Sequence, residues 1–122
     1  MTDSAGPECV WREALAEGRF LLQRAHASGM PFFPPRLAEP GTGDTDWEWI
    51  EASGLGAVYA VTVIYPRPPE PARAVALIDL DEQVRLMSRI EGVAPDEIAI
   101  GMRVRARIVE EDGGPILLFG RL

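Results

Sequence analysis

The sequence predicts a mainly β chain in three parts: a short N-terminal helix, a small hairpin module and a closed five-stranded barrel. Three observations carry that expectation. Residues 6–18 have apolar side chains at helical spacing. Residues 18–54 are broken by Pro, Gly and Thr into short apolar pieces, and residues 54–122 hold five runs of strand composition or two-residue alternation. The expected boundaries are 1–18, 19–53 and 54–122.

In GPECVWREALAEG, Pro7 suits a first helical position and Gly18 the position just past a helix end. Val10, Trp11, Ala14 and Leu15 fall on one stripe, and Glu8 and Arg12 form a supporting i,i+4 pair. About three turns are too few to be stable alone, so the stripe must pack on this chain or on another.

The middle segment reads RFLLQR at 19–24, PFFPPR at 31–36, then EPGTGDTD and WEWIEA at 47–52. Short apolar runs between turn residues indicate hairpins, and none is thick enough to bury much by itself.

Strand signals strengthen from Gly54 onward. AVYAVTVIY (57–65) is rich in Val, Ile and Tyr, and AVALIDL (74–80) follows the Pro-rich loop PRPPEPAR. QVRLMSRI (83–90) alternates, with Val84, Leu86, Ser88 and Ile90 on one face; MRVRARIV (102–109) points Met102, Val104, Ala106 and Ile108 inward. Asp112 and Gly113 make a turn before ILLFGRL. Between the third and fourth strands, Pro95, Asp96 and Glu97 open a single helical turn, the place where an OB-type barrel carries its helix.

The chain has 122 residues, 47% of them hydrophobic and 25% charged. A chain of this size buries roughly two-thirds of its unfolded surface, enough for a core without disulfides. The lone Cys9 has no partner in the chain, which points to a reducing compartment. No apolar run reaches membrane-span length, and the opening MTDSAGPECV lacks the order of a signal peptide, so the expected setting is the cytoplasm. All twelve basic residues are Arg, against nineteen acids and a formal net charge of -7. Such a surface repels phosphate backbones, which argues against general nucleic-acid binding.

No catalytic set assembles from these residues. His26 is the only imidazole and stands in the loop AHASG, where it reads as an exposed loop residue. Cys9 reads as a half-buried, inert thiol beside the apolar stripe. One Cys and one His cannot furnish a zinc site, and Asp79, Asp81 and Glu82, like Glu110, Glu111 and Asp112, fall at hairpin turns where solvated acids are normal. Arg103, Arg105 and Arg107 project from one face of one strand. They form either a positive stripe for the phosphates of a nucleotide such as coenzyme A, or an outward face countered by neighbouring acids. Phe32, Phe33, Pro34, Pro35 and Arg36, with Trp47 and Trp49, are of the types enriched at interface cores, or else hold a small module together.

The order of these segments resembles the zinc-ribbon plus OB-fold proteins grouped as domain of unknown function 35. The resemblance rests on the Trp11 helix, LLQRAHASG, PFFPPR, SGLGAVYAVTVIY with its spaced Gly54 and Gly56, the Pro-rich loop, AVALIDLDEQVRLMSRI and IGMRVRARI. It implies a rubredoxin-like ribbon hairpin at 19–53. Family members usually carry two Cys pairs, in patterns like QRCxxCG and PxxCPxCG, that hold a zinc ion. Here those positions read Ala25, Ser28, Glu39 and Thr42. The ribbon is therefore expected to be metal-free, held by Phe32, Phe33, Trp47 and Trp49 or by a partner.

The resemblance also implies an accessory, non-catalytic role beside thiolases, lipid-transfer-type aldolases or hydratases that act on acyl-CoA thioesters. Docking is expected through Trp11, Leu15, Phe32, Phe33, Arg36 and Trp47. The alternative is a stand-alone acyl-CoA or CoA binder, with Arg36, Arg103, Arg105 and Arg107 near the phosphates. A remoter reading is a single-stranded nucleic-acid barrel using Tyr59, Tyr65 and Phe119 as stacking surfaces.

Overall fold

The computed structural model describes residues 6–122, so residues 1–5 of the expected N-terminal part, including half of the leader reading, lie outside the described residues. One helix and eight strands follow in order: α1 (Pro7–Ala16), β1 (Leu21–Ala25), β2 (Pro31–Phe32), β3 (Trp47–Glu51), β4 (Leu55–Ile64), β5 (Arg73–Leu80), β6 (Arg85–Ile90), β7 (Arg103–Glu111) and β8 (Gly114–Arg121). A single 3-10 turn, Pro95–Glu97, sits between β6 and β7 where the sequence places it.

The last five strands close into a barrel in the order β4-β5-β6-β8-β7. All neighbours are antiparallel except β6 and β8, which run parallel with Ile90 opposite Phe119, and β4 pairs with both β5 and β7 to complete the ring. This is the OB-fold arrangement. The long first strand bends to serve two neighbours, and its register shifts at Tyr59, between Val58 and Ala60; a bulge there increases local twist.

Alternation decides which side chains fill the barrel. Ala74, Ala76, Ile78 and Leu80 from β5, Leu86 and Ile90 from β6, Val84 beside it, Val58, Val104 and Phe119 are all buried in one cluster. Each large apolar side chain removed from water in this way contributes about 1.5–3 kcal/mol. Gly56 is fixed by close approach, because a Cβ there would stand 2.7 Å from the Asp79 carbonyl oxygen. The third strand begins two residues later than the alternation suggests. Gln83 lies in the left-handed region at φ 69° within the turn from β5, so it cannot join the strand.

The remaining strands form a separate sheet in the order β2-β1-β3. The expectation that this segment buries little does not hold. Phe20 and Leu22 belong to the barrel's core cluster, while Leu21, Gln23, Ala25 and Phe32 are buried as well. Residues that look too few for a core acquire one by sharing the barrel's.

Candidate functional site

The helix α1 packs against β1 and β8. Its stripe works as the spacing predicts, with Ala14 and Leu15 buried. The Trp11 indole Nε1 donates a 2.8 Å hydrogen bond to the Leu21 carbonyl, and its ring meets Phe33 at a centroid distance of 5.5 Å. Leu15 and Phe32, expected as partner contacts, are 1% and 7% exposed. They are corrected to internal supports, because their apolar surface is already spent on the chain's own packing. Trp11 and Phe33 stay half-buried and border a cleft of about 210 Å³ between α1 and the barrel, completed by Leu86, Met87 and Ile116. Met87 lies outside every segment expected to dock, yet it is 69% exposed. Its outward place in an alternating strand is the signal that identifies it.

At the other end of the three-stranded sheet, Trp47 and Trp49 pack edge to face at 5.3 Å, and the Trp47 Nε1 donates to the Leu37 carbonyl at 2.8 Å. Trp47 pairs with Ala25, whose amide donates to the Met30 carbonyl, so Met30 and Leu37 gather around the same strand end with their side chains exposed. Arg36 is exposed, while its backbone amide and carbonyl are both bound by the buried Gln23 carboxamide at 2.8 and 2.6 Å. Gln23 is a positioning residue that the sequence analysis missed. A polar residue amid the apolar FLLQR run was the available sign.

Of the positions that the family resemblance assigns to metal ligands, three meet. Ser28 Oγ and Thr42 Oγ1 donate to the two carboxylate oxygens of Glu39, each at 2.7 Å. Glu39 is buried, and Ala25 is buried on the neighbouring strand.

The arginine stripe divides. Arg103 is bound to Asp81 at 3.0 Å, which keeps its guanidinium pKa above the ordinary value, so it is not a free phosphate contact. Arg105 and Arg107 make no ion pair among the described residues. With Arg121, Gly92, Gly120 and Glu91 they line a recess of about 310 Å³. The absence of a side chain at Gly120 opens it, since a Cβ there would touch the Arg107 side chain at 3.3 Å. Arg36 lies in the loop between β2 and β3 and does not line this recess.

Most of the remaining candidates are engaged by neighbouring residues. Asp79 is held by Arg85, a hydrogen bond that keeps its carboxyl below the usual range, and Glu82 accepts the Ser53 amide. Glu111 binds Arg89. His26 is exposed as expected, with Nδ1 2.9 Å from Asp46 and Nε2 3.7 Å from Glu48. Cys9, expected to be half-buried, is exposed with Sγ 4.0 Å from Glu13; a one-position offset from the stripe on a short helix is enough to turn it to solvent. The stacking platform of the nucleic-acid reading does not form: Phe119 is fully buried in the barrel, and the Arg85 guanidinium lies 3.4 Å over the Tyr59 ring. No helix among the described residues is long and apolar enough to cross a membrane.

Comparison with known proteins matches residues 49–109 to the model of the ChsH2 C-terminal OB-fold domain. A probable enoyl-CoA hydratase alpha subunit of Thermomonospora curvata is 40% identical over 84% of this chain, which spans only 33% of that protein's length. A DUF35 domain-containing scaffold protein of Methanocaldococcus jannaschii is 31% identical over 84% of this chain and 78% of its own length. Among solved structures, a chain of the Ltp2–ChsH2(DUF35) aldolase superposes with a TM-score of 0.81 and 34% identity, covering 94% of each chain. The helix, the three-stranded sheet and the barrel thus recur together in relatives of clear sequence similarity, and the chain belongs to the DUF35 family, its barrel being an OB-fold domain of the ChsH2 type.

Proposed function

We propose that this chain is a non-catalytic partner subunit of an enzyme acting on acyl-CoA thioesters, of the thiolase-like, lipid-transfer-type aldolase or hydratase kind. The observation that carries this reading is the likeness, over 94% of each chain, to a chain of the Ltp2–ChsH2(DUF35) aldolase. The chain's own residues support it. Its single thiol and single imidazole lie on α1 and on the turn after β1, and the imidazole is engaged by two acids. Half-buried aromatics beside exposed aliphatics supply the chemistry of an interface core. The cleft edged by Trp11, Phe33 and Met87 and the strand end around Trp47, Leu37 and Met30 are the two surfaces offered to the enzyme.

The test is purification of the tagged chain from its own cells with mass spectrometry of the eluate. A stoichiometric acyl-CoA enzyme subunit is expected, and Met87→Glu or Leu37→Glu should release it while the chain stays folded. Recovery of the bare chain at every salt concentration would sink the reading.

A second reading, direct binding of CoA or its esters, is favoured by one feature, the recess lined by Arg105, Arg107 and Arg121 in a chain of net charge -7. Unpaired guanidinium groups are suited to bidentate contact with phosphate oxygens. Calorimetric titration with CoA and with an acyl-CoA decides it: heat that vanishes in an Arg105→Gln, Arg107→Gln double variant supports the recess. No heat with either ligand removes it.

A further inference from the structure

The family's ribbon implies a zinc ion, and the residues present here do not fit one. At the corresponding positions stand a methyl side chain, two hydroxyls and one carboxylate, in place of the thiolate and imidazole ligands that hold structural zinc. The nearby imidazole of His26 is committed outward to Asp46 and Glu48.

What these groups do instead is specific. Residues 25–30 and 39–44 form two turns of the same design. In the first, the Gly29 amide donates to the Ala25 carbonyl and the Met30 amide to Ser28 Oγ. In the second, the Gly43 amide donates to the Glu39 carbonyl and the Asp44 amide to Thr42 Oγ1. Each hydroxyl therefore accepts an amide from its own turn and donates its proton to Glu39, one to each carboxylate oxygen at 2.7 Å. Three consequences follow from this geometry. The Glu39 carboxylate is buried but doubly hydrogen-bonded, which offsets its desolvation. The Ser28 bond ties the two turns together, and the Thr42 bond closes the second turn on the same group. The polarity is the reverse of a metal site, with an anion at the hub and donors around it.

We infer that Glu39 is a hydrogen-bonding hub that clips the two turns of the three-stranded module together, doing in this chain the cross-linking that a zinc ion does in its family. The module's shape is then independent of metal and of thiol oxidation. This inference stands apart from the docking reading, because it concerns how the module is held and not what it meets.

The experiment is amide hydrogen exchange read at Gly29, Met30, Gly43 and Asp44, with elemental analysis of the same wild-type preparation grown in zinc-supplemented medium. The wild-type chain should carry no stoichiometric zinc, and a chelator should leave its exchange unchanged. Glu39→Ala should speed exchange at those amides about 10- to 100-fold while barrel amides keep their rates. Glu39→Gln should stay near wild type, since its carboxamide still bonds both hydroxyls once one of them rotates to accept. Should Glu39→Ala fail to fold, Ser28→Ala serves in its place: it deletes the bond between the turns and should speed exchange in both of them. Stoichiometric zinc whose removal exposes these amides would overturn the inference, as would a Glu39→Ala or Ser28→Ala chain whose amides exchange like wild type.

Discussion

The barrel and the three-stranded module are neighbours built on opposite principles. In the barrel, alternation sends one side chain in two to a common centre, and Ile78, Val104 and Phe119 are each buried completely. The module has three short strands and no centre of its own. It inserts its own Phe20 and Leu22 into the barrel core and fixes its shape with directed bonds: Trp11 to the Leu21 carbonyl, Gln23 to both backbone groups of Arg36, Trp47 to the Leu37 carbonyl, and Ser28 and Thr42 to Glu39. Where too little apolar surface can be buried, hydrogen bonds to otherwise unpaired groups specify the shape, since leaving those groups unmet is what costs stability.

That contrast is most exposed to failure in the barrel. Phe119→Ala should cost about 3–5 kcal/mol and lower the urea midpoint of the whole chain, because the cavity lies where β6, β7 and β8 meet. A variant that lost only the module's signals would show that the barrel is not the organising core. Gly56→Ala forces a methyl group against the Asp79 carbonyl and the Ile78 side chain, and should cost about 1–3 kcal/mol by the same assay.

Gln23→Ala leaves the Arg36 amide and carbonyl without their partners. A loss of about 1–3 kcal/mol is expected, confined to module amides in hydrogen exchange. Equal acceleration in β5 would mean that the two regions open as one unit, and would break the comparison.

Surface charge should matter least to either region. The Arg105→Gln, Arg107→Gln double variant is expected to change stability by less than about 0.5 kcal/mol, so any loss of anion binding reports on the recess and not on folding. Two carboxyls carry a small pH dependence, one in each region. The hydrogen bond from Arg24 lowers Glu48 in the module, and that from Arg85 lowers Asp79 in the barrel. Folding therefore favours their ionised forms. The contribution is complete above the ordinary carboxylate range and fades as pH falls through the depressed values. Acid melts should show it at low salt and lose it at high salt, because both pairs are exposed.

The two regions also differed in how legible they were. The alternating faces of β6 and β7 follow from periodicity, because a strand with one buried face repeats every second residue, while the other barrel strands and the turn at Pro95 follow from composition. The module's strands are too short for any period, and its organising bonds join residues such as Gln23 and Arg36, or Ser28 and Glu39, that no local pattern connects. Cys9 and Leu15 show the same limit on the helix. The spacing identifies the stripe, but which side of it is sealed depends on what packs there, and that is β1 and β8.

By itself, the sequence determined that a helix and hairpins precede a barrel, that the net charge is acidic, and that no thiolate stands at Ala25, Ser28, Glu39 or Thr42. Alternation, composition and ligand identity are local properties, readable residue by residue. Only the tertiary structure decided that Leu15 and Phe32 are sealed inside while Leu37 faces outward, that Arg103 is neutralised while Arg105 and Arg107 are not, and that Glu39 gathers two hydroxyls around itself. Burial and pairing are relations between distant residues, and they exist only once the chain has brought those residues together.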